Sequence, residues 1–140
     1  MTEESTTPDL VELARHAFEA GNSGDLDLTL SFYSPDPVWD MSRLGMGTFE
    51  GPAAIRGFFQ DWIGAYEEWE IEAEEILDLG NGVILTVVAQ RARPVASVGS
   101  VQLRYAAVTT WTDGKIARVT NYSDLDEAHA AAKRLAESRG

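Results

Sequence analysis

EWEIEAEEILDLGNGVILTVVAQRAR, residues 68–93, decides the fold class. In its first half Trp69, Ile71 and Ala73 are apolar, and Glu68, Glu70, Glu72 and Glu74 lie between and around them. A period of two predicts a strand with one strongly acidic face. Asn81-Gly82 accepts the positive φ angles of a tight hairpin turn, so the chain folds back across 78–82. VILTVVAQRAR then runs as the partner strand.

Outward from this hairpin the pattern extends both ways. A glycine-containing connection, about 94–100, leads to the strand VQLRYAAVTTW. Asp113-Gly114 makes a second hairpin into KIARVTNYS. Ser123 or Asp124 is placed to cap a last helix, LDEAHAAAKRLAES. On the N-terminal side Pro52 opens a helix with Ile55, Phe58, Phe59 and Trp62 apolar. SRLGMGTFEG before it reads as a loop. In FYSPDPVWDMS (32–42) Pro35 and Pro37 exclude helix and lead into a short strand at about 38–42. Thr7 and Pro8 start a first helix, with Leu10, Leu13, Ala14 and Ala17 along one face. GNSGD (21–25) stops it, and Asp25 caps a second, short helix through Phe32.

Residues 1–6 read as a loose tail and 7–140 as one domain. The element order is α+β: a curved, mixed but mostly antiparallel sheet with about four helices packed on one face. The last three strands are apolar on both faces. A homodimer through the outer sheet face is therefore expected.

Composition narrows the function classes. The 140 residues hold 23 acids against 11 bases, a formal charge of −12. Such a surface repels phosphate backbones and anionic lipid, so neither nucleic acid nor membrane is expected as a partner. No apolar run approaches the roughly 20 residues that span a bilayer. MTEESTTPDL is polar and acidic and does not read as a signal peptide. The chain has no cysteine, which removes thiol chemistry and suits a reducing cytosol, so a cytoplasmic protein is expected. His16 and His129 have no acid or second histidine at a ligand spacing, and no phosphate loop or serine elbow is present. No metal or other cofactor is expected.

Several segments together resemble the SnoaL-like and ketosteroid-isomerase-like branch of the nuclear transport factor 2 superfamily. They are GDLDLTLSFYSPDPVWD (24–40), FEGPAAIRGFF (49–59), WTDGKIARVTNYSD (111–124) and the alanine-rich last helix. The resemblance implies a cone-shaped sheet closed at one end by helices around an apolar pocket. It implies that Asp40 stands at the position of a proton-shuttling general base, with its pKa raised by burial; the alternative is a turn carboxylate bonded to amides near Ser42. Ala17 and Ala107 stand near the places of the family's oxyanion donors. Gln90, Val88 and Asn121 stand at the acid–arginine–acid set of the similar limonene epoxide hydrolase, so epoxide hydrolysis by that route is not expected.

The resemblance also places Asn121 and Gln90 in the pocket, and Tyr105, Thr109 and Trp111 share the inward parity of Ala107. Tyr33, Trp39, Trp62 and Tyr66 complete the expected substrate-binding wall. The function so implied is proton transfer next to a carbonyl of an apolar substrate, polyketide, terpenoid or steroid-like, as in an isomerase, cyclase or lyase. The alternative is a non-enzymatic ligand-binding or dimerisation module of the same fold.

Overall fold

The computed structural model describes residues 9–96 and 99–139. The expected tail and the expected helix start at Thr7-Pro8 lie outside the described residues. Helix α1 spans Leu10–Ser23, and Asp9 caps it by accepting a hydrogen bond from the Glu12 amide. Gly24, at φ +78°, ends it. Asp25 caps the short α2, Leu26–Leu30, by accepting from the Leu28 amide.

Strand β1 runs from Tyr33 to Asp40, longer and earlier than the sequence suggested. Its prolines fall in the stretch between Tyr33 and Val38 where the ladder to the neighbouring strand is interrupted, so the missing N–H groups cost no ladder bond. The chain then makes a 3₁₀ turn, Ser42–Leu44, instead of continuing as strand. A three-residue strand, β2 (Thr48–Glu50), lies in the stretch read as loop. Helix α3 is Pro52–Gly64. Four strands follow as expected: β3 (Tyr66–Gly80), β4 (Val83–Pro94), β5 (Val101–Thr112) and β6 (Lys115–Tyr122). Helix α4, Leu125–Arg139, closes the order, with Asp124 accepting from the Glu127 amide. Both tight turns take left-handed φ angles, at Asn81-Gly82 and Asp113-Gly114.

The six strands form one sheet in the order β2-β1-β6-β5-β4-β3. Only the β1–β6 pair is parallel. Alternation sorts the side chains onto two faces. On the inner face Ile84, Ala107, Trp111, Ile116 and Val119 pack with Ala14 of α1. On the outer face Val83, Leu85, Ala106, Val108 and Tyr122 pack against Ala128, Ala132 and Ala136 of α4. The α+β sheet-and-helix class holds, but α4 lies on the opposite face from α1. Its alanine stripe lets the helix come close to strands that are apolar on both sides. The surface that argued for a partner copy is thus in part covered by the chain's own last helix.

Edge strand β3 is protected by a side chain. The Asn22 amide donates to the Ile71 carbonyl (2.6 Å) and accepts from the Ile71 N–H (2.7 Å). It supplies the pairing an additional strand would give and locks the end of α1 onto the sheet. No helix among the described residues is long and apolar enough to cross a membrane.

Candidate functional site

The inner face, α1, α2 and α3 enclose a cavity of about 140 Å³. Helix α3 supplies Phe58, Phe59 and Trp62, and β1 supplies Tyr33 and Trp39. Strand β3 adds Trp69 and Ile71, and α1 adds Ala17, Phe18 and Gly21. The rings form a continuous wall. Trp39 meets Phe59 edge-on at 4.8 Å, Phe58 lies 5.5 Å from Trp62, and Trp62 meets Trp69 edge-on at 6.0 Å between centroids. Such offset and edge-on packing suits the ring quadrupoles.

Polar groups enter from the sheet. Gln90 on β4, Tyr105 and Thr109 on β5, and Asn121 on β6 all line the cavity. Gln90 and Asn121 are 3% and 2% exposed. The Asn121 Nδ2 donates to Met41 Sδ at 2.8 Å, and its Oδ1 is buried without a partner. The indole N–H groups of Trp39, Trp62 and Trp69 are likewise buried and unpaired. Thr109 is occupied: it accepts from the Trp111 indole (2.9 Å) and donates to the Ile84 carbonyl. Among the described residues, the Gln90 amide and the Tyr33 and Tyr105 hydroxyls make no hydrogen bond.

Among the described residues that line the cavity there is no Asp, Glu, Lys, Arg or His. The acidic face of β3 is turned outward, where Glu70 pairs with Arg91, Glu68 with Arg93 and Glu74 with Arg104. Inside, the titratable groups are phenols. Burial pushes the Tyr33 pKa far above its ordinary value, with a further rise from Tyr105. Burial alone raises Tyr105. Both hydroxyls therefore stay protonated and can donate.

Asp40 is the main departure from the sequence reading. Its neighbour Trp39, opposite Val119, faces inward, and alternation then turns Asp40 to the outer face with Arg118 and Thr120. It does not line the cavity. Asp40 Oδ1 accepts from the Ser42 hydroxyl (2.5 Å), the Ser42 N–H (2.9 Å) and the Thr48 hydroxyl (3.3 Å). Oδ2 accepts from Arg118 Nη2 at 2.8 Å. The expectation of a raised pKa is overturned. The Ser42 hydroxyl bond holds the carboxyl below its ordinary value, and the Ser42 amide, Arg118 and Thr48 add to this against a partial burial penalty. Nearby Arg43 and Arg56 pair with Glu127 and Asp27 rather than with Asp40.

Of the other expected site residues, Asn121, Gln90, Tyr105, Trp39, Trp62, Tyr33 and Thr109 come together on the cavity. Tyr66 and Trp111 do not. Tyr66 packs on Trp62 and Trp69 from outside, and Trp111 sits behind Thr109. The reading missed Trp69, Phe58 and Phe59 as walls, although all three stand on apolar faces it had identified. It also missed Met41 and Leu44, carried in by a turn that has no sequence signature of its own.

A family model for the SnoaL-like domain matches residues 14–119. No curated protein matches the chain. Among solved structures, TerC co-crystallised with polyporic acid is 18% identical, with a TM-score of 0.73 over 89% of this chain and 98% of that one. An NTF2-like protein of unknown function from Burkholderia pseudomallei is 22% identical, with a TM-score of 0.73 over 86% and 95%. SalBIII, an epoxide hydrolase/cyclase-like enzyme with a role in pyran ring formation in the polyether salinomycin, is 21% identical, with a TM-score of 0.72 over 90% and 96%. At these identities the likeness is one of fold.

Proposed function

The chain belongs to the SnoaL-like domain family, and from that premise we propose that its cavity binds a neutral, compact, largely apolar molecule bearing a carbonyl or hydroxyl oxygen. The observation that carries this is the lining: aromatic walls, a few polar side chains and no formal charge among the described residues. A charged ligand would lose its hydration with nothing to replace it. A neutral ring loses little and gains contact with the aromatic wall. The cavity of about 140 Å³ is close to the size that takes a benzene-sized guest, roughly 150 Å³. A one-ring molecule is the natural fit, and a polycyclic one would need the wall to open.

Binding is the reading favoured over proton transfer. A base next to a substrate carbonyl has to reach the cavity, and Asp40 is turned from it and paired with Arg118. The reading extends to a protein of a reducing compartment, in keeping with the lack of cysteine. It also keeps a second copy of the chain as partner on the ion-paired part of the outer sheet face that α4 leaves uncovered.

The test is thermal unfolding with cyclohexanone, and with the cavity-filling variant Ala107→Phe. At one hundred times Kd a ligand that binds only the folded state adds about 2.7 kcal/mol. Melting of the wild type should rise by several degrees, and Ala107→Phe should show no rise. An unchanged wild type would remove the binding reading.

A further inference from the structure

The start of β5 has an open edge. This strand pairs with β4 from Val101 to Thr110 without a register shift, whereas β6 joins it only from Ala106 onward. Beyond Tyr122 the chain leaves the sheet for the cap of α4. Among the described residues no strand lies on that side of Val101–Tyr105. The Trp111 N–H donates to the Gly82 carbonyl, in line with the β4–β5 register. Alternation therefore turns the backbone groups of Leu103 and Tyr105 toward β4, and those of Gln102 and Arg104 toward the open edge. Val101 and Leu103, which share the inward parity of Ala107, are 43% and 46% exposed. An edge with unpaired N–H and C=O groups and bare apolar side chains is a template for another strand.

We propose that the Val101–Tyr105 edge pairs with the same edge of a second copy of this chain, antiparallel and centred on Leu103. The segment complements itself in that register. Gln102 falls opposite the partner's Arg104 and Arg104 opposite the partner's Gln102, so each pair exchanges both of its open backbone bonds. Leu103 meets the partner's Leu103 as a close, non-hydrogen-bonded pair, and Val101 meets the partner's Tyr105. No like charges oppose one another. Sliding the copies by two residues either sets Arg104 against the partner's Arg104 or moves it opposite Ser100, outside the strand. The edge is a different surface from the outer sheet face, and its pairing does not depend on the cavity's being occupied. So short a paired segment buries far less than the roughly 800 Å² per partner of a standard interface, and the association is correspondingly weak.

The experiment is sedimentation velocity over a concentration series up to about 1 mM, the weak end of specific association, in salt that screens the charge of −12 on each copy. It is run on the wild type, Gln102→Pro, Leu103→Lys and, as an outer-face control, Arg91→Ala. Proline at 102 removes an N–H that points to the open edge and leaves the ladder to β4 intact. Lysine at 103 sets two charges face to face in the dimer and is exposed in the monomer. The proposal expects a monomer–dimer equilibrium in the wild type and in Arg91→Ala, weakened at least tenfold by either edge substitution. Melting in dilute solution shows that the variants are folded. Amide hydrogen exchange in the wild type gives a second readout that needs no variant. The Gln102 and Arg104 amides should slow as concentration rises, and the Leu103 and Tyr105 amides, bonded to β4, should not change. A wild type that stays monomeric throughout overturns the proposal. So does a dimer that survives both edge substitutions, or one whose formation leaves exchange at Gln102 and Arg104 unchanged. A dimer lost in Arg91→Ala and kept in both edge variants overturns it in favour of the outer sheet face.

Discussion

Replacing Asp40 by Asn keeps the shape of the side chain and removes its charge. The wild-type carboxylate accepts four hydrogen bonds, from the Ser42 amide and hydroxyl, Thr48 and Arg118, with its side chain 14% exposed. Hydrogen bonds to a charged acceptor contribute about 1.5–3 kcal/mol each when well buried. The Arg118 side chain is 46% exposed, which holds its share to about 1 kcal/mol or less. The Asn oxygen can keep the Ser42 bonds in weaker, neutral form, but its NH₂ group then meets the Arg118 guanidinium, donor against donor. The net expected loss at pH 7 is about 1–3 kcal/mol.

The pH dependence follows from the lowered pKa of the folded state. A depressed carboxyl contributes stability that is fully present above the unfolded pKa, about 3.9, and is lost as pH falls through the folded pKa. Urea unfolding of both proteins should therefore show the full gap at pH 7. The gap should begin to close below about pH 4 and shrink further as the acid limb is descended. An Asn variant as stable as the wild type at pH 7, or more so, would mean a strained, desolvated carboxylate and refute the reasoning.

Two further outcomes follow from the scaffold. Gly82→Ala should cost about 1–3 kcal/mol in urea unfolding, because the added Cβ would lie 2.7 Å from the Trp111 carbonyl at a φ of +79°. Asn22→Ala should cost about 1–3 kcal/mol by removing both bonds to the Ile71 backbone, and hydrogen exchange at the Ile71 amide should speed up selectively.

The hairpins, α3 and the capped last helix were legible because each rests on local chemistry: Asn-Gly and Asp-Gly turns, Pro52 at a helix start, Asp124 before a helical run. Strand β2 was hidden because three residues between glycines carry no period. The place of α4 could not be read either. Alternation shows that β4 and β5 have two apolar faces, but not which helix covers which. At the site the aromatic wall was legible only in part: Tyr33, Trp39 and Trp62 were expected on it, whereas Phe58 and Phe59 of α3 and Trp69 of β3 were apolar positions with nothing local to tell core from cavity wall. The error at Asp40 was avoidable in part. Trp39 and Asp40 are adjacent on a strand, so only one can face the cavity, and the reading had assigned both to it. The Asp40–Arg118 pair was not legible, since it needs the parallel register that sets Val38 beside Arg118 and Asp40 beside Thr120.

The central claim is that the cavity is built for a neutral guest. The most direct measurement titrates the tryptophan fluorescence with cyclohexanone and, separately, with cyclohexanecarboxylate at pH 7. Both present one ring to the same aromatic wall and differ mainly in charge. The account predicts saturable binding of the ketone and at least a hundredfold weaker binding of the carboxylate, the equivalent of about 2.7 kcal/mol. Carboxylate binding as tight as the ketone's would contradict it.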